Sequence, residues 1–142
     1  PVYNYSAGKK EITGVLKIPE LPGMQGYHLR EELIKRLGTP KENAYFLVLD
    51  VTTNKINEVI TPNNEITSYR LIMRAIYSVK DKNGTTVLQN QISEVRTGFS
   101  SASNSTGYTT QIAEEAAKKR LAIKIGNKIA TRLAILSEKW LL

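Results

Sequence analysis

Chemistry in this chain has to be sought among few residue types, because cysteine is absent and histidine occurs once, as His28. A lone histidine cannot build a zinc site, and without cysteine there are neither disulfides nor thiolate ligands. His28 sits between Tyr27 and Leu29 in a helical pattern, where a structural role at or near the surface is expected. Asp50 falls on the strand face opposite Leu47 and Leu49 and reads as a solvated carboxylate. No pair of carboxylates is spaced for general acid–base work, and GxGxxG, GxxxxGK[ST], HExxH and GxSxG are all missing. The expectation is a non-enzymatic protein with no cofactor and no metal.

Positive charge is more informative. Lys and Arg number 20 against 13 Asp and Glu, a net charge of +7, which favours an anionic partner such as nucleic acid, phospholipid or another phosphate-bearing molecule. Arg70, Arg74 and Arg96 are predicted on one face of a long ribbon, interleaved with Ile72, Ile76, Leu88 and Ile92. That face is cationic and apolar together, which fits a structural ion cluster or a contact surface for an amphipathic anion or a protein. Arg120, Lys124, Lys128 and Arg132 recur every four residues. They are predicted on the side of the last helix opposite its apolar stripe, where such a run is ordinarily a solvated face.

The elements that position these residues follow from periodicity. "TGVLKI" (Thr13 to Ile18) is a short strand closed by Pro19 and by Pro22-Gly23. Leu29, Leu33, Ile34 and Leu37 share one stripe of a helix that Gly38 and Pro40 end. From Ala44 to Val59 residues alternate, with Tyr45, Leu47, Leu49 and Val51 on one face. "TPNNE" is a turn. "SYRLIMRAIYSVKDKNGTTVLQNQISEVRTGFS" (Ser68 to Ser100) reads as two strands folded on an Asp81-Lys82-Asn83-Gly84 turn. Pairing Asp81 near Thr85 would set Val79 against Val87, Leu71 against Val95, Arg74 beside Ile92 and Arg70 beside Arg96. The last is a like-charged pair, destabilising unless an anion lies near.

"SSASNSTG" is a polar loop, and a single helix is predicted from Tyr108 to about Trp140, with Gly126 as a weak spot. Ala122, Ile125, Ile129, Leu133, Leu136 and Trp140 form its apolar stripe, and Glu114 and Glu115 are placed in its first turns. At about 1.5 Å per helical residue and roughly 3.3 Å per strand residue, this helix and these strands match in length. The predicted fold is α+β: a two-layer sandwich in the order β-α-β-β-β-α, with two helices on one face of a four-stranded, mostly antiparallel sheet. With 142 residues the chain is read as one domain, 1–142. No apolar run approaches the roughly 18 residues needed to cross a bilayer. Because Pro1 is not a natural start, an N-terminal segment is expected to have been removed.

Several segments in this order are similar to a known family. "PVYNY", "LREELIKRLG", "ITPNNEITSYRLIMRAIYSVKDKNGTTVLQ" and "GYTTQIAEEAAKKRLAIKIGNKIATRLA" resemble LptE, the lipopolysaccharide-assembly lipoprotein, in its alphaproteobacterial branch. The likeness lies in Tyr69 before a long strand, the D-x-x-G hairpin, Phe99 near a strand end, and Tyr108 followed by Ala113-Glu114-Glu115-Ala116. It implies a plug inside the β-barrel LptD that helps the barrel assemble and binds lipopolysaccharide. It also implies an outer-membrane location on the periplasmic side, through a lipidated cysteine lying just before Pro1. Better-known relatives carry basic residues in the turn after the second strand and just ahead of the last helix. Here those places read "TPNN" and "TGYTT". The candidate contacts for lipopolysaccharide or partner are therefore Arg70, Arg74 and Arg96, with Lys124 and Lys128.

Two alternatives come from other classes. A double-stranded RNA-binding-like domain shares helix, three strands and a second helix with "AAKKRLA", yet that fold grips phosphates at the start of its last helix. In this chain Glu114 and Glu115 come first there, so nucleic acid is not expected as a partner. A periplasmic scaffold domain of similar shape would bind protein only.

Overall fold

The structure, a computed structural model, describes residues 12–40, 45–60, 62, 66–100 and 107–141. "PVYNY", most of "TPNNE" and residues 101–106 lie outside them. Strand β1 is Leu16–Lys17, helix α1 Gly23–Leu37, strand β2 Tyr45–Ile60, strand β3 Ile66–Asp81 and strand β4 Thr86–Ser100. Helix α2 runs Gly107–Ile135 and a single further turn, α3, spans Ser137–Trp140. The four strands form one sheet in chain order, with β1 parallel to β2 and the other pairs antiparallel. The α+β order expected from the sequence is observed, with α3 as an addition.

Period-2 alternation decides which side of the sheet is dry. On β3, Leu71, Met73, Ala75, Tyr77 and Val79 are all buried, while Arg74 among them and Arg70 and Lys80 at either end are exposed. Each large apolar side chain taken fully out of water contributes about 1.5–3 kcal/mol, so a slip by one residue would forfeit the whole row. Helix α2 covers this face with Leu121, Ala122, Ile125, Ile129 and Leu133, and α1 adds Leu29, Leu33 and Leu37 to the same core. The buried Tyr77 hydroxyl is satisfied by Ser93 Oγ at 2.9 Å.

Strand β1 is shorter than predicted. Only Leu16 and Lys17 pair, opposite Tyr45 and Phe46, before Ile18 and Pro19 lead the chain toward α1. The terminal helix is also interrupted. Leu136 leaves helical geometry, and α3 turns back so that the Trp140 indole donates to the Leu133 carbonyl at 3.0 Å. Its ring also meets Tyr45 edge-on, with centroids 5.4 Å apart. Helix α2 begins at Gly107, one residue before the expected start, so Glu114 and Glu115 lie about two turns in and its first turn holds no acidic residue.

The hairpin register differs from the expected one by two. Tyr69 pairs with Phe99, Leu71 with Thr97 and Arg74 with Glu94, and the offset accumulates in irregularities between Tyr77, Val79 and Lys80. Extra β4 residues are absorbed there as bulges. At the turn Gly84 takes φ 84°, and Asp81 Oδ1 accepts from the amides of Asn83 and Thr85, so the predicted turn is correct. Two consequences follow: Arg70 faces Gly98 rather than Arg96, and Leu88 turns into the core opposite Val79.

Gly126 is not a weak spot but the point of closest approach between the helices. A Cβ there would lie 2.9 Å from Glu32 Cγ, 3.1 Å from Glu32 Cβ and 3.4 Å from Leu29 Cδ1. Glu32 is buried against it and pairs with Arg36 at 2.7 Å. Replacing Gly126 by Val is expected to force α1 and α2 apart and cost about 1–3 kcal/mol, read as a lower urea midpoint with unchanged slope.

Candidate functional site

The even-numbered residues of β2 and β3, with Ile92, Glu94, Arg96 and Gly98 of β4, make a second face that no helix covers among the described residues. Its cross-strand rows are Asp50–Ile76–Ile92, Thr52–Arg74–Glu94, Asn54–Ile72–Arg96 and Ile56–Arg70–Gly98. Ile92 is 52% exposed and Val48 and Ile56 are 45% exposed, so their apolar surface meets solvent rather than another layer. This face carries Arg70, Arg74 and Arg96 together, as the alternation predicted.

Two of the three guanidinium groups have acidic partners. Arg70 Nε lies 2.6 Å from Glu58 Oε1, and Arg96 Nη2 lies 2.9 Å from Glu94 Oε1. Arg74 stands between Thr52 and Glu94 with neither an ion pair nor a hydrogen bond among the described residues. Exposed pairs of this kind are worth only about 0–1 kcal/mol. A phosphate or carboxylate from outside can therefore displace either glutamate at little cost, and Arg74 needs no displacement at all. Glu58 was missed in the sequence, although its even number placed it on this face.

Lys124 and Lys128 lie elsewhere. Lys124 Nζ donates to the Arg96 carbonyl at 3.2 Å, Lys128 Nζ to the Glu94 carbonyl at 3.0 Å, and Arg132 Nε to Gln91 Oε1 at 3.1 Å. The cationic run thus flanks the apolar stripe of α2 and reaches over the free edge of β4, instead of pointing away from the sheet. Arg120 alone of the four makes no such contact among the described residues. Ammonium groups placed on outward carbonyls block an edge strand from pairing with another chain.

A third cluster ties α2 to the far end of the sheet. Lys55 Nζ lies 2.9 Å from Glu114 Oε1, and Lys118 Nζ lies 3.1 Å from Glu114 Oε2. Lys55 also sits over the Tyr69 ring, 5.3 Å from its centroid, and Tyr69 stacks on Phe99. The hydrogen bond from Lys55 is the main cause that lowers the Glu114 pKa, with Lys118 adding to it. The same bond raises that of Lys55. Glu114 therefore acts as a bridge between sheet and helix, not as a charge at a helix start. Among the described residues no group of histidine, aspartate and glutamate could hold a metal.

With this geometry in view, comparison with known proteins is specific. The model of the LptE family, described as "Lipopolysaccharide-assembly", matches residues 16–133. The chain belongs to the LptE family, an assembly family rather than a catalytic one, as the sequence resemblance implied. Among solved structures, a protein of Caulobacter crescentus CB15 described as a lipoprotein is 25% identical. It covers 84% of this chain and 88% of its own, with a TM-score of 0.65. The rare lipoprotein B of Shewanella oneidensis shares the fold at 16% identity, over 87% of this chain and 94% of its own, with a TM-score of 0.66. A minor lipoprotein of Acinetobacter baumannii does so at 11% identity, over 88% and 92%, with a TM-score of 0.64. No curated protein sequence matches the chain.

Two outcomes are expected from these clusters. The lowered Glu114 pKa means its ion pair stabilises the fold above the ordinary carboxylate value of 4.5, and that contribution is lost as pH falls through the lower folded-state value. Glu114→Gln should therefore be less stable than the parent at neutral pH, and the gap in thermal midpoint should close on acidification below that range. Replacing Lys124 and Lys128 by alanine should uncover the β4 edge, raising light scattering on storage while leaving far-UV circular dichroism unchanged.

Proposed function

We propose that this protein is a cell-envelope lipoprotein that fills the lumen of the outer-membrane β-barrel LptD, helps that barrel assemble, and contacts lipopolysaccharide on its way to the outer leaflet. The observation that carries this reading is the uncovered sheet face. It combines Arg70, Arg74 and Arg96 with Ile72, Ile76 and Ile92, and lipopolysaccharide combines phosphates with acyl chains. The same face suits a barrel wall, whose interior is polar. A stiff slab suits a lumen: its strands run roughly 50 Å at about 3.3 Å per residue, and α2 runs roughly 43 Å at about 1.5 Å per residue.

Membership of the LptE family supports the assembly role, and the fold shared with lipoproteins supports anchoring by a lipidated cysteine ahead of Pro1 on the periplasmic side of the outer membrane. Lys124 and Lys128, engaged with β4 carbonyls, take a structural part in this reading and leave the anion contacts to the arginines. Duplex RNA is not favoured: Lys118 is held by Glu114 rather than presented at the start of the last helix.

Co-expression with the matching barrel is expected to yield one stable complex, and recovery of the two proteins only as separate species would overturn the plug role. Charge-assisted contacts contribute about 1.5–3 kcal/mol each, and each 1.4 kcal/mol is tenfold. Replacing Arg70, Arg74 and Arg96 together by glutamate should therefore weaken lipopolysaccharide binding by more than about tenfold in a folded protein. Undiminished binding would exclude this face, and no binding by the parent protein would favour a protein-only scaffold.

A further inference from the structure

The sheet has two edges, and among the described residues only one is guarded. On the β4 side, Lys124 and Lys128 occupy the carbonyls of Arg96 and Glu94. On the other side, β1 pairs with β2 only through Leu16–Tyr45 and Lys17–Phe46. Beyond Phe46, β2 has no strand on its outer side among the described residues.

Which groups face outward follows from the ladder. In an antiparallel sheet the amide and carbonyl of one residue point to the same neighbour, and successive residues alternate. Asp81 donates its amide to Thr85 across the hairpin, so the odd residues of β3 point to β4 and the even ones to β2. The carbonyls that Lys124 and Lys128 reach, on even-numbered Glu94 and Arg96, agree, because they point away from β3. The even residues of β2 therefore bond to β3, and Leu49, Val51, Thr53 and Lys55 present theirs to the outside.

The usual protections are absent along this row. It has no proline, and its irregularity comes only at Asn57–Val59. Lys55, the one lysine that could screen it, is drawn inward to Glu114. From Asn54 to Glu58 every residue is exposed whichever face it is on. Thr53 Oγ1 is buried without a partner.

We infer that the outer edge of β2 between about Leu49 and Lys55 is a docking strand for an extended, non-barrel segment of the LptD partner, added as a fifth strand. Main-chain pairing of this kind supplies affinity without a matching charge. The charge balance selects such an occupant over a lipid phosphate. Lys55 and Glu58, which flank the row, are already neutralised by Glu114 and Arg70, so the edge offers alternating donors and acceptors but no free cation. It is also continuous with the sheet face assigned to the barrel, and the inference rests on that reading.

Residue-resolved amide hydrogen exchange on the free protein and on the complex co-purified with its barrel tests it. The amides of Val51, Thr53 and Lys55 should exchange quickly in the free protein and at least about tenfold more slowly in the complex. Those of Thr52 and Asn54, already bonded to β3, should be slow in both. A complex in which Val51, Thr53 and Lys55 stay fast would overturn the docking strand and leave the plug role standing. Failure to isolate any complex would overturn both. Slow exchange in the free protein would also refute it. If independent of concentration it would mean that the chain's own residues cover the edge, and if concentration-dependent, a second copy.

Discussion

Leu71, Met73, Ala75, Tyr77 and Val79 form a dry row along β3, and a sheet of strands this long can be dry on that row only if a helix of comparable reach lies over it. Helix α2 is that helix. Once it is fixed there, α1 has to pack mainly on α2, and the two can close only where a side chain is missing, at Gly126 against Leu29 and Glu32. Among the described residues no second layer covers the opposite face. The exposed isoleucines and arginines are thus a direct result of spending both long helices on one side.

The same arrangement decides where the positive charge goes. Arg70 and Arg96, and with them Lys55 and Lys118, have carboxylate partners, while Lys124 and Lys128 sit on main-chain carbonyls and Arg132 on the Gln91 side chain. On the bare face the described residues therefore offer a phosphate fewer unengaged cations than the 20 Lys and Arg of the chain suggest. Arg74 remains, set among Ile72, Ile76 and Ile92 on a face with Thr52 and Glu94 to either side. One unpaired guanidinium with isoleucines on the same face suits an amphiphile better than it suits a polyanion, whose binding needs several phosphate contacts at once.

Much of this was legible because burial follows period. Strands β2, β3 and β4, helix α1 and the body of α2 were all visible in the spacing of apolar residues, as was the set of arginines sharing a face. The register was not, and the reason is physical. A shift of two residues keeps every side chain on its own face, so alternation cannot distinguish Val95 from Thr97 as the partner of Leu71. Only the bulges near Tyr77 and Val79 decide it, and they carry no signature in residue type. The run of Lys124, Lys128 and Arg132 was placed on the wrong side for a related reason. Spacing by four puts residues on one stripe without saying how far that stripe lies from the core, and long side chains cross the difference easily. Gly126 read as a helix weakness because its cause is a residue on another helix.

Fold-sharing at 11% to 25% identity follows from the same economy. Strand length, helix length and a one-sided dry face need apolar residues at the right period, not particular ones, so the scaffold can persist at low identity. In this chain the turn sequence "TPNN" and the approach to α2, "TGYTT", hold no basic residue, and the grip on phosphate proposed above falls to the scaffold itself. Strand β3 is the rigid element best placed to carry it, since it is paired on both sides and its dry row prevents slippage. Arg74, in the middle of that strand, is held in place by the interactions that hold the fold together.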